Sequence, residues 1–244
     1  VRAQGRTAGM ALTGDVTATA VTLMTGNGAL VLGDRDITST SGNVLLVGRG
    51  ITQSAGSVIT SAAETWMYGS DYRTATVAGM NLAGLIDSAS NVYLYSANSL
   101  VLPNIDIGAA GARGTLTLGW DSYNSYPGSW NSWIYGNITQ TAGTSIKVGT
   151  LQGRQTGGSG SYNLTNAGNE VQYVSYIHRG GAFSLNDEDT EGNGLRLNSS
   201  INDGSNASRV SIRTQGVFNL NGQQVYGDGV TIEAAGITGS GNLY

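Results

Sequence analysis

The sequence predicts an all-β protein built as a solenoid of parallel strands. Helix signals are nearly absent, because few windows place apolar residues at positions i, i+3, i+4 and i+7. β-Branched residues recur throughout the chain, together with 38 glycines in 244 residues, and both are poor helix formers. Short runs of alternating apolar and polar residues, each followed by Gly, Asn or Ser, are typical of strands of about four to six residues bounded by turns.

The candidate strands follow one another closely along the chain. In order they are ALVLG (29–33), NVLLVG (43–48), SVIT (57–60), NVYLYS (91–96), TLTLG (115–119), SIKVG (145–149), SYNL (161–164), AFSL (182–185), RVSIR (209–213) and VFNLNG (217–222). In such strands the side chains alternate between a narrow interior and the solvent. Gly and Asn are expected at the corners, where positive φ is common.

Internal repeats indicate how these strands are arranged. RGITQSAGSVIT (49–60) returns as GNITQTAGTSIKV (136–148), and a looser version, DITSTSGNVLL, occupies residues 36–46. Repeats of this kind predict a solenoid or a propeller, but propeller blades need about 40–45 residues. Coils of about 20 residues fit the spacing better. We therefore interpret residues 1–244 as a single β-solenoid domain, either whole or a segment of a longer chain.

An antiparallel sandwich or jelly roll is the rival all-β interpretation. It would favour two-residue Asn-Gly or Asp-Gly hairpins between strands. Such dipeptides begin at Asn27, Asn193, Asp203, Asn221 and Asp228, mostly after residue 190. We therefore expect the last fifty or so residues to be less regular than the rest.

The repeat phrases resemble a known family. GITQSAG, GNITQTAG, SYNLTNAGNEV (161–171) and GGAFSLNDED (180–189) are similar to the repeat units of bacterial filamentous haemagglutinin-type exoproteins, which are exported by two-partner secretion. The resemblance covers about residues 12–60 and 136–220. It implies a right-handed parallel β-helix exported to the bacterial surface. Neither Pro103 nor Pro127 lies in the Asn-Pro-Asn-Gly motif of the family's secretion domain, so the match is to the repeat region.

Composition and charge exclude several partners. The formal net charge is −4, and no basic stripe is available to neutralise nucleic-acid phosphates. No apolar run approaches the roughly 20 residues that span a bilayer. The chain has no cysteine, so no disulfide staples the fold. It begins at Val1 without a signal segment, which fits either a removed leader or a piece of a longer protein.

Residues with catalytic potential are few. The single histidine, His178, is adjacent to Arg179 and has no Ser or Cys nucleophile motif near it, so a coil corner is its simplest interpretation. The 16 Asp and Glu residues are scattered, and no glycosidase-type pair of carboxylates is evident. We therefore expect a protein that is not an enzyme and needs no cofactor. A carbohydrate-active enzyme, or a carbohydrate-binding phage fibre or spike, on the same fold is the alternative.

One acidic cluster, NDEDTEGNG (186–194), has the oxygen-rich composition of a calcium loop. Its spacing is neither that of an EF-hand nor that of the Gly-rich calcium repeat of parallel β-rolls. A solvated loop is the favoured interpretation, and calcium binding is the alternative.

The stretch GWDSYNSYPGSWNSWIYGN (119–137) is the most distinctive segment. It contains three of the chain's four Trp residues, and Pro127-Gly128 rules out a helix within it. We expect a loop that leaves the coil, and Tyr and Trp among Ser, Gly and Asn are typical of recognition loops. The candidate site residues, for a partner protein or a glycan, are Trp120, Tyr123, Tyr126, Trp130, Trp133 and Tyr135. Packing of the loop on its own scaffold remains open.

Together these observations predict a non-enzymatic, extracellular or cell-surface solenoid with a structural or adhesive role. Parallel coils leave unpaired backbone groups at both ends, and such edges need to be covered. Stacking end to end with further coils would cover them, and head-to-tail contacts that do not close produce fibres. Self-association, or a host-cell or neighbouring-cell surface protein or glycan, is therefore the expected partner.

Overall fold

The computed structural model confirms the all-β fold class. It describes residues 1–5, 9–69, 79–96, 98–119, 136–153, 160–177, 181–202 and 208–244. Within these ranges there is no helix, and parallel strands stack in the successive turns of a right-handed β-solenoid. The right-handed sense is the one that parallel strands joined by a crossover adopt almost always.

The described strands are short and follow one another along the whole chain. They are β1 (Arg2–Gly5), β2 (Met10–Ala11), β3 (Val16–Ala18), β4 (Val21–Thr25), β5 (Leu30–Gly33), β6 (Ile37–Ser39), β7 (Val44–Val47), β8 (Ile51–Gln53), β9 (Val58–Ser61), β10 (Thr65–Gly69), β11 (Met80–Leu82), β12 (Leu85–Ser88), β13 (Val92–Ser96), β14 (Leu100–Leu102), β15 (Asn104–Ala109), β16 (Ala112–Arg113), β17 (Thr115–Leu118), β18 (Ile138–Gln140), β19 (Ile146–Gly153), β20 (Tyr162–Leu164), β21 (Glu170–Ser175), β22 (Phe183–Asp187), β23 (Leu195–Leu197), β24 (Val210–Thr214), β25 (Val217–Asn219), β26 (Gln224–Val225), β27 (Val230–Glu233), β28 (Gly236–Thr238) and β29 (Asn242–Leu243).

The strands form parallel ladders that run along the solenoid axis. Ladder A contains β1, β4, β7, β10, β13, β17, the second halves of β19 and β21, β23, β25 and β28. Ladder B contains β2, β5, β8, β11, β14, β18, β20, β22, β24 and β27. Ladder C contains β3, β6, β9, β12, β15 and the first halves of β19 and β21. Each coil in the first part of the molecule visits A, B and C in that order.

The core is a set of aliphatic columns inside the coil. In ladder A one column consists of Leu23, Leu46, Met67, Leu94 and Leu118, which pair in register and are at most 2% exposed. Burying a side chain of this size stabilises the fold by about 1.5–3 kcal/mol. Because strand side chains alternate, the neighbouring residues form columns on the outer surface.

The sequence repeats coincide with structural repeats, although not all in the same place. Residues 49–60 and 136–148 each include a ladder B strand, a tight corner and the start of a ladder C strand. Gly56 and Gly143 have φ of 93° and 78° in these corners, which explains the shared Ala-Gly step. The looser copy, 36–46, instead runs from ladder C to ladder A. Its similarity is therefore one of composition and not of position in the coil.

Asn and Asp side chains at the corners connect each coil to the next by hydrogen bonds. The side-chain oxygens of Asp15, Asp36, Asn43, Asn91, Asn104 and Asn137 each accept a hydrogen bond of 2.8–3.1 Å from a backbone N–H in the following coil. These six side chains thus replace a strand hydrogen bond where the chain turns.

Positive φ was expected of Asn at corners, but among the described non-glycine residues only Tyr176, Asp189, Asn202 and Asn221 have it.

Three buried serines organise the corner between ladders C and A. Ser39, Ser61 and Ser88 pair in register. Each hydroxyl lies within hydrogen-bond distance of one carbonyl oxygen of its own coil and one of the coil before it, at 2.6–3.4 Å. In the next coil Ile107 takes this position, and there the antiparallel hairpin of β15 and β16 leaves the coil.

The cross-section of the solenoid changes toward the C-terminal end. In the described residues ladder C ends at β21, while β22 and β24 lengthen to five residues. A new column, ladder D, appears between ladders A and B. It joins Ile177, Ile201 and Val225, all 0% exposed, and ends in the β26–β29 pair. The last coils therefore visit A, D and B.

With respect to membranes, no helix among the described residues has the length and hydropathy needed to cross a bilayer.

Candidate functional site

The predicted aromatic site falls outside the described residues. Trp120, Tyr123, Tyr126, Trp130, Trp133 and Tyr135 all lie between Gly119 and Gly136, where the description stops and resumes. The Gly119 N–H donates to the Leu94 carbonyl at 3.0 Å, so the last described residue before this segment lies in ladder A, beside β13. It continues into ladder B at Ile138. The site assignment in this segment stays a prediction.

A second group of aromatic residues, missed by the sequence analysis, lies on the outer side of ladder A. Trp66 pairs in register with Tyr93, and Tyr68 with Tyr95. The Trp66 and Tyr93 rings are stacked, with centroids 3.7 Å apart and planes 11° from parallel. Tyr68 and Tyr95 are 6.4 Å apart and tilted by 48°. The signal in the sequence is the alternation in TWMYG and NVYLYS, where the aromatic residues occupy every second position.

Glu64, in the corner just before β10, holds the stacked rings in place. Its carboxylate accepts hydrogen bonds from Trp66 Nε1 at 3.1 Å, Asn91 Nδ2 at 3.2 Å and the Tyr93 hydroxyl at 3.4 Å. Three donors from two coils thus converge on one carboxylate. Charge-assisted bonds of this kind are stronger than neutral ones, so the arrangement fixes the ring planes.

Apolar neighbours extend the aromatic group along the outward positions of ladder A. We name Met24, Leu45, Val47, Trp66, Tyr68, Tyr93 and Tyr95 the outer aromatic face, since all seven occupy outward positions of ladder A. Met24, Leu45, Trp66 and Tyr93 are partly exposed, whereas Val47, Tyr68 and Tyr95 are 4–8% exposed. Burial, together with the nearby Tyr93 and Glu64, raises the pKa of Tyr68 well above its usual range.

The outer columns of ladders B and C are mostly polar. On ladder C the register aligns Thr17, Thr38, Thr60, Asp87, Asp106, Lys147 and Glu170. On ladder B it aligns Val31, Thr52, Asn81, Val101, Thr139, Asn163 and Ser184. The outer aromatic face is therefore the apolar side of the first coils, and aromatic residues and Met are enriched where proteins meet partners.

The geometry of the rings limits what this face can bind. A sugar ring stacks on an exposed aromatic face, but the facing sides of Trp66 and Tyr93 are taken by each other. In the ladder register Trp66 is next to Leu45 on one side, and Tyr93 is next to Thr117 on the other. The partly exposed side chains of Met24 and Leu45 are aliphatic, and these suit an apolar protein surface better than a glycan.

The acidic cluster 186–194 is organised by internal hydrogen bonds. Asp187, 1% exposed, accepts from the Val171 N–H at 2.9 Å and the Thr214 hydroxyl at 2.7 Å. Asp189 accepts from the Gly194 N–H at 2.8 Å. Among the described residues no group of three or more His, Cys, Asp or Glu side chains could hold a metal ion. The expected solvated loop is therefore partly a buried corner, and calcium binding there stays an untested alternative.

Arg113, in the β15–β16 hairpin, anchors this corner from another coil. It pairs with Asp106 at 2.7 Å and with Glu191 at 2.6 Å, and its side chain is only 7% exposed. Burial alone would lower the pKa of Arg113, but its hydrogen bonds to Glu191 and Asp106 raise it. For Glu191, burial acts to raise the pKa, and the Arg113 pair outweighs it and lowers the pKa below its usual range.

Other predicted features are not brought together in the described residues. His178 lies outside them, so its place at a coil corner stays a prediction. Asp87 and Asp106 occupy neighbouring rungs of ladder C, but Asp106 is committed to Arg113.

Comparisons with protein-family models, with curated proteins and with solved structures found no match.

Proposed function

We propose that the chain is a structural and adhesive β-solenoid of a bacterial surface exoprotein, acting outside the cell without catalysis. The observation that carries this proposal is the outer aromatic face, an apolar group on a stack of coils whose outer columns on ladders B and C are mostly polar. Rigid aromatic residues and Met commonly anchor protein interfaces. The resemblance of the repeat phrases to filamentous haemagglutinin-type exoproteins supports the same proposal.

The proposed partner of the outer aromatic face is a protein on another cell surface. The facing sides of the stacked rings are occupied by each other, and the partly exposed Met24 and Leu45 are aliphatic, which favours a protein over a glycan. The segment with Trp120, Trp130 and Trp133 follows Gly119, beside the strand that carries Tyr93 and Tyr95. We propose that it contributes to the same contact.

Adhesion of beads coated with the chain to cultured epithelial cells tests this role. Met24→Ser with Leu45→Ser removes partly exposed apolar groups without touching the Glu64 hydrogen bonds. We expect at least about a tenfold loss of bound beads, since one strong anchor can contribute about 2 kcal/mol. Val31→Ser is the matched control, because Val31 is a 40% exposed apolar residue of ladder B. Equal loss in both variants, or in neither, would remove the face from the proposal.

The exposed side chain of Ile237 supports the proposed role as a segment of a fibre. Ile237, in the last described strand of ladder A, continues the inward column of Leu195 and Phe218 but is 51% exposed. Ladders A and B run from the first coils to the last, whereas C and D are each confined to one part. Further coils, from the same protein or from another copy, would thus continue along A and B.

Particle mass and length test the fibre role. Ile237→Lys places a charge in the layer that a neighbouring coil would cover, so we expect shorter particles by electron microscopy and a lower mass by sedimentation. Val31→Lys adds the same charge on a lateral surface and should leave both unchanged. A chain that is monomeric at all concentrations, with or without the Ile237→Lys substitution, would contradict self-association.

A further inference from the structure

The corner at residues 186–194 is the point at which the solenoid changes its cross-section. Ladder C supplies its last described backbone pairing at Glu170 and Val171. In the next coil the Glu188 N–H donates to the Asn169 carbonyl at 2.8 Å, and the Asp187 carboxylate replaces the next strand by accepting from the Val171 N–H. Asp187 therefore caps ladder C.

The same carboxylate reaches in the opposite direction as well. Its second oxygen accepts from the Thr214 hydroxyl, and Thr214 is the register partner of Asp187 in the following coil. The Gln215 N–H donates to the Asp187 carbonyl at 3.2 Å. One buried side chain thus joins the last coil of the A–B–C cross-section to the coils that follow it.

The groups around Asp187 are mostly acidic. From β21 comes Glu170, which is 5% exposed and accepts from the Thr190 N–H at 2.8 Å and from the Thr190 hydroxyl. From its own corner comes Asp189, and β24 presents Thr214, while Arg213 beside it points outward. Two cations of the described residues lie near this corner. Arg113 pairs with Glu191, and Lys147 is the register neighbour of Glu170, one rung away.

We infer that this corner is a pH-sensitive joint, at which the C-terminal coils are held firmly at mildly acidic pH and open more readily at neutral and alkaline pH. Protonated Asp187 can keep both contacts, because one oxygen still accepts from Val171 and the other can donate to the Thr214 hydroxyl. Ionised Asp187 places a charge in a buried site beside two other carboxylates. The inference does not depend on the proposed function.

The direction of this pH dependence follows from the titration of the Asp187 carboxyl. Burial raises the pKa of Asp187 from 3.8 to about 6, with Glu170 and Asp189 acting in the same sense. Between these two values the folded joint holds the proton and the opened joint does not. Stability of the joint therefore falls as the pH rises through this window.

Hydrogen exchange on the intact chain, corrected for the intrinsic rate at each pH, tests the joint. We expect the protection of the Val171 and Gln215 amides to fall about tenfold from pH 5 to pH 8, as the two pKa values require. Amides of β6 and β9 should keep their protection. Asp187→Asn should abolish the pH dependence at the joint, because an amide keeps an acceptor for Val171 and does not ionise.

A second variant guards against failure of the first to fold. Thr214→Val removes a donor to the ionised form, so the fall in protection at Val171 should grow and extend to higher pH. Equal pH dependence in the wild type and Asp187→Asn, or equal change at the joint and in β6 and β9, would overturn the inference.

Discussion

Trp66 and Tyr93 are 27 positions apart in the chain, yet their rings lie 3.7 Å apart and nearly parallel. They meet because β10 and β13 are neighbouring rungs of one ladder, paired in register over five residues. Glu64 binds both ring systems through the indole N–H and the phenol hydroxyl. The stack is thus a contact between coils, and the carboxylate fixes its geometry.

Trp66→Ala is expected to destabilise the protein by about 2–3 kcal/mol, below the 3–5 kcal/mol typical of a fully buried Trp because this one is partly exposed. A double-mutant cycle with Tyr93→Ala should give a coupling energy of about 1 kcal/mol, the range found for aromatic pairs. Urea unfolding measures both. Pairing Trp66→Ala with Val31→Ala serves as the control and should give additive effects; coupling no larger than in this control would mean that the stack adds nothing beyond burial.

The corner asparagines should stabilise the fold through the side-chain oxygen that accepts a hydrogen bond, and their side-chain NH2 groups should not be needed. Asn104 Oδ1 accepts from the Ser145 N–H at 2.9 Å, so Asn104→Ala should cost about 1–2 kcal/mol, while Asn104→Asp keeps the acceptor and should cost little. Asn81→Ala, at an exposed outward position of β11, should change the unfolding free energy by less than about 0.5 kcal/mol. If Asn104→Asp destabilised the protein as much as Asn104→Ala, the prediction that Asn104 acts as a hydrogen-bond acceptor would be wrong.

Arg113 should be replaceable neither by alanine nor fully by lysine. Arg113→Ala leaves two carboxylates without their cation and should cost on the order of 2 kcal/mol, and lysine cannot reproduce the forked contact. Because the pKa of Glu191 is lowered in the fold, its contribution is present above the unfolded value of 4.5 and is lost as the pH falls through the lowered value. Melting curves of wild type and Arg113→Ala should therefore converge in strong acid. Parallel curves down to the lowest pH would contradict the pairing.

Gly84 should be among the least replaceable glycines. A Cβ there would lie 2.2 Å from the Ser57 carbonyl oxygen, which is backbone and cannot move away cheaply. Gly84→Ala should therefore cost about 2 kcal/mol or more in thermal or urea unfolding. Gly14→Ala, where a Cβ meets nothing within 4 Å, should be neutral or slightly stabilising. Similar stability of the two variants would show that the corner between β11 and β12 can relax.

Much of the fold could be predicted because strand alternation and turn residues are local signals. NVLLVG and NVYLYS predicted β7 and β13 from their own residues alone. Position in the coil could not be predicted, because a tight corner has the same Ser, Thr and Gly composition wherever it lies. For this reason DITSTSGNVLL resembles the other two repeats, although it joins a different pair of ladders.

The outer aromatic face could not be predicted because it depends on register between distant strands. Trp66 and Tyr93 each read as ordinary outward residues until β10 and β13 are aligned. Arg113 and Glu191 are 78 positions apart, and no local pattern relates them. The composition of NDEDTEGNG predicted a solvated loop, with calcium binding as the alternative, whereas a buried Asp187 with two protein donors follows only from the end of ladder C.

The corner hydrogen bonds have a consequence for how such a chain can change over generations. Each of the six corner side chains serves the coil that follows it, so the alignment of the stack does not depend on how long the path between two rungs is. Ladder B continues from β14 to β18 although the path between them includes the additional strand β16, and Asn104 still reaches Ser145 across 41 positions. An insertion at a corner is therefore expected to project from the side of the solenoid without interrupting its ladders. New surface loops can be acquired, exchanged or grafted there while the repeating architecture is inherited intact.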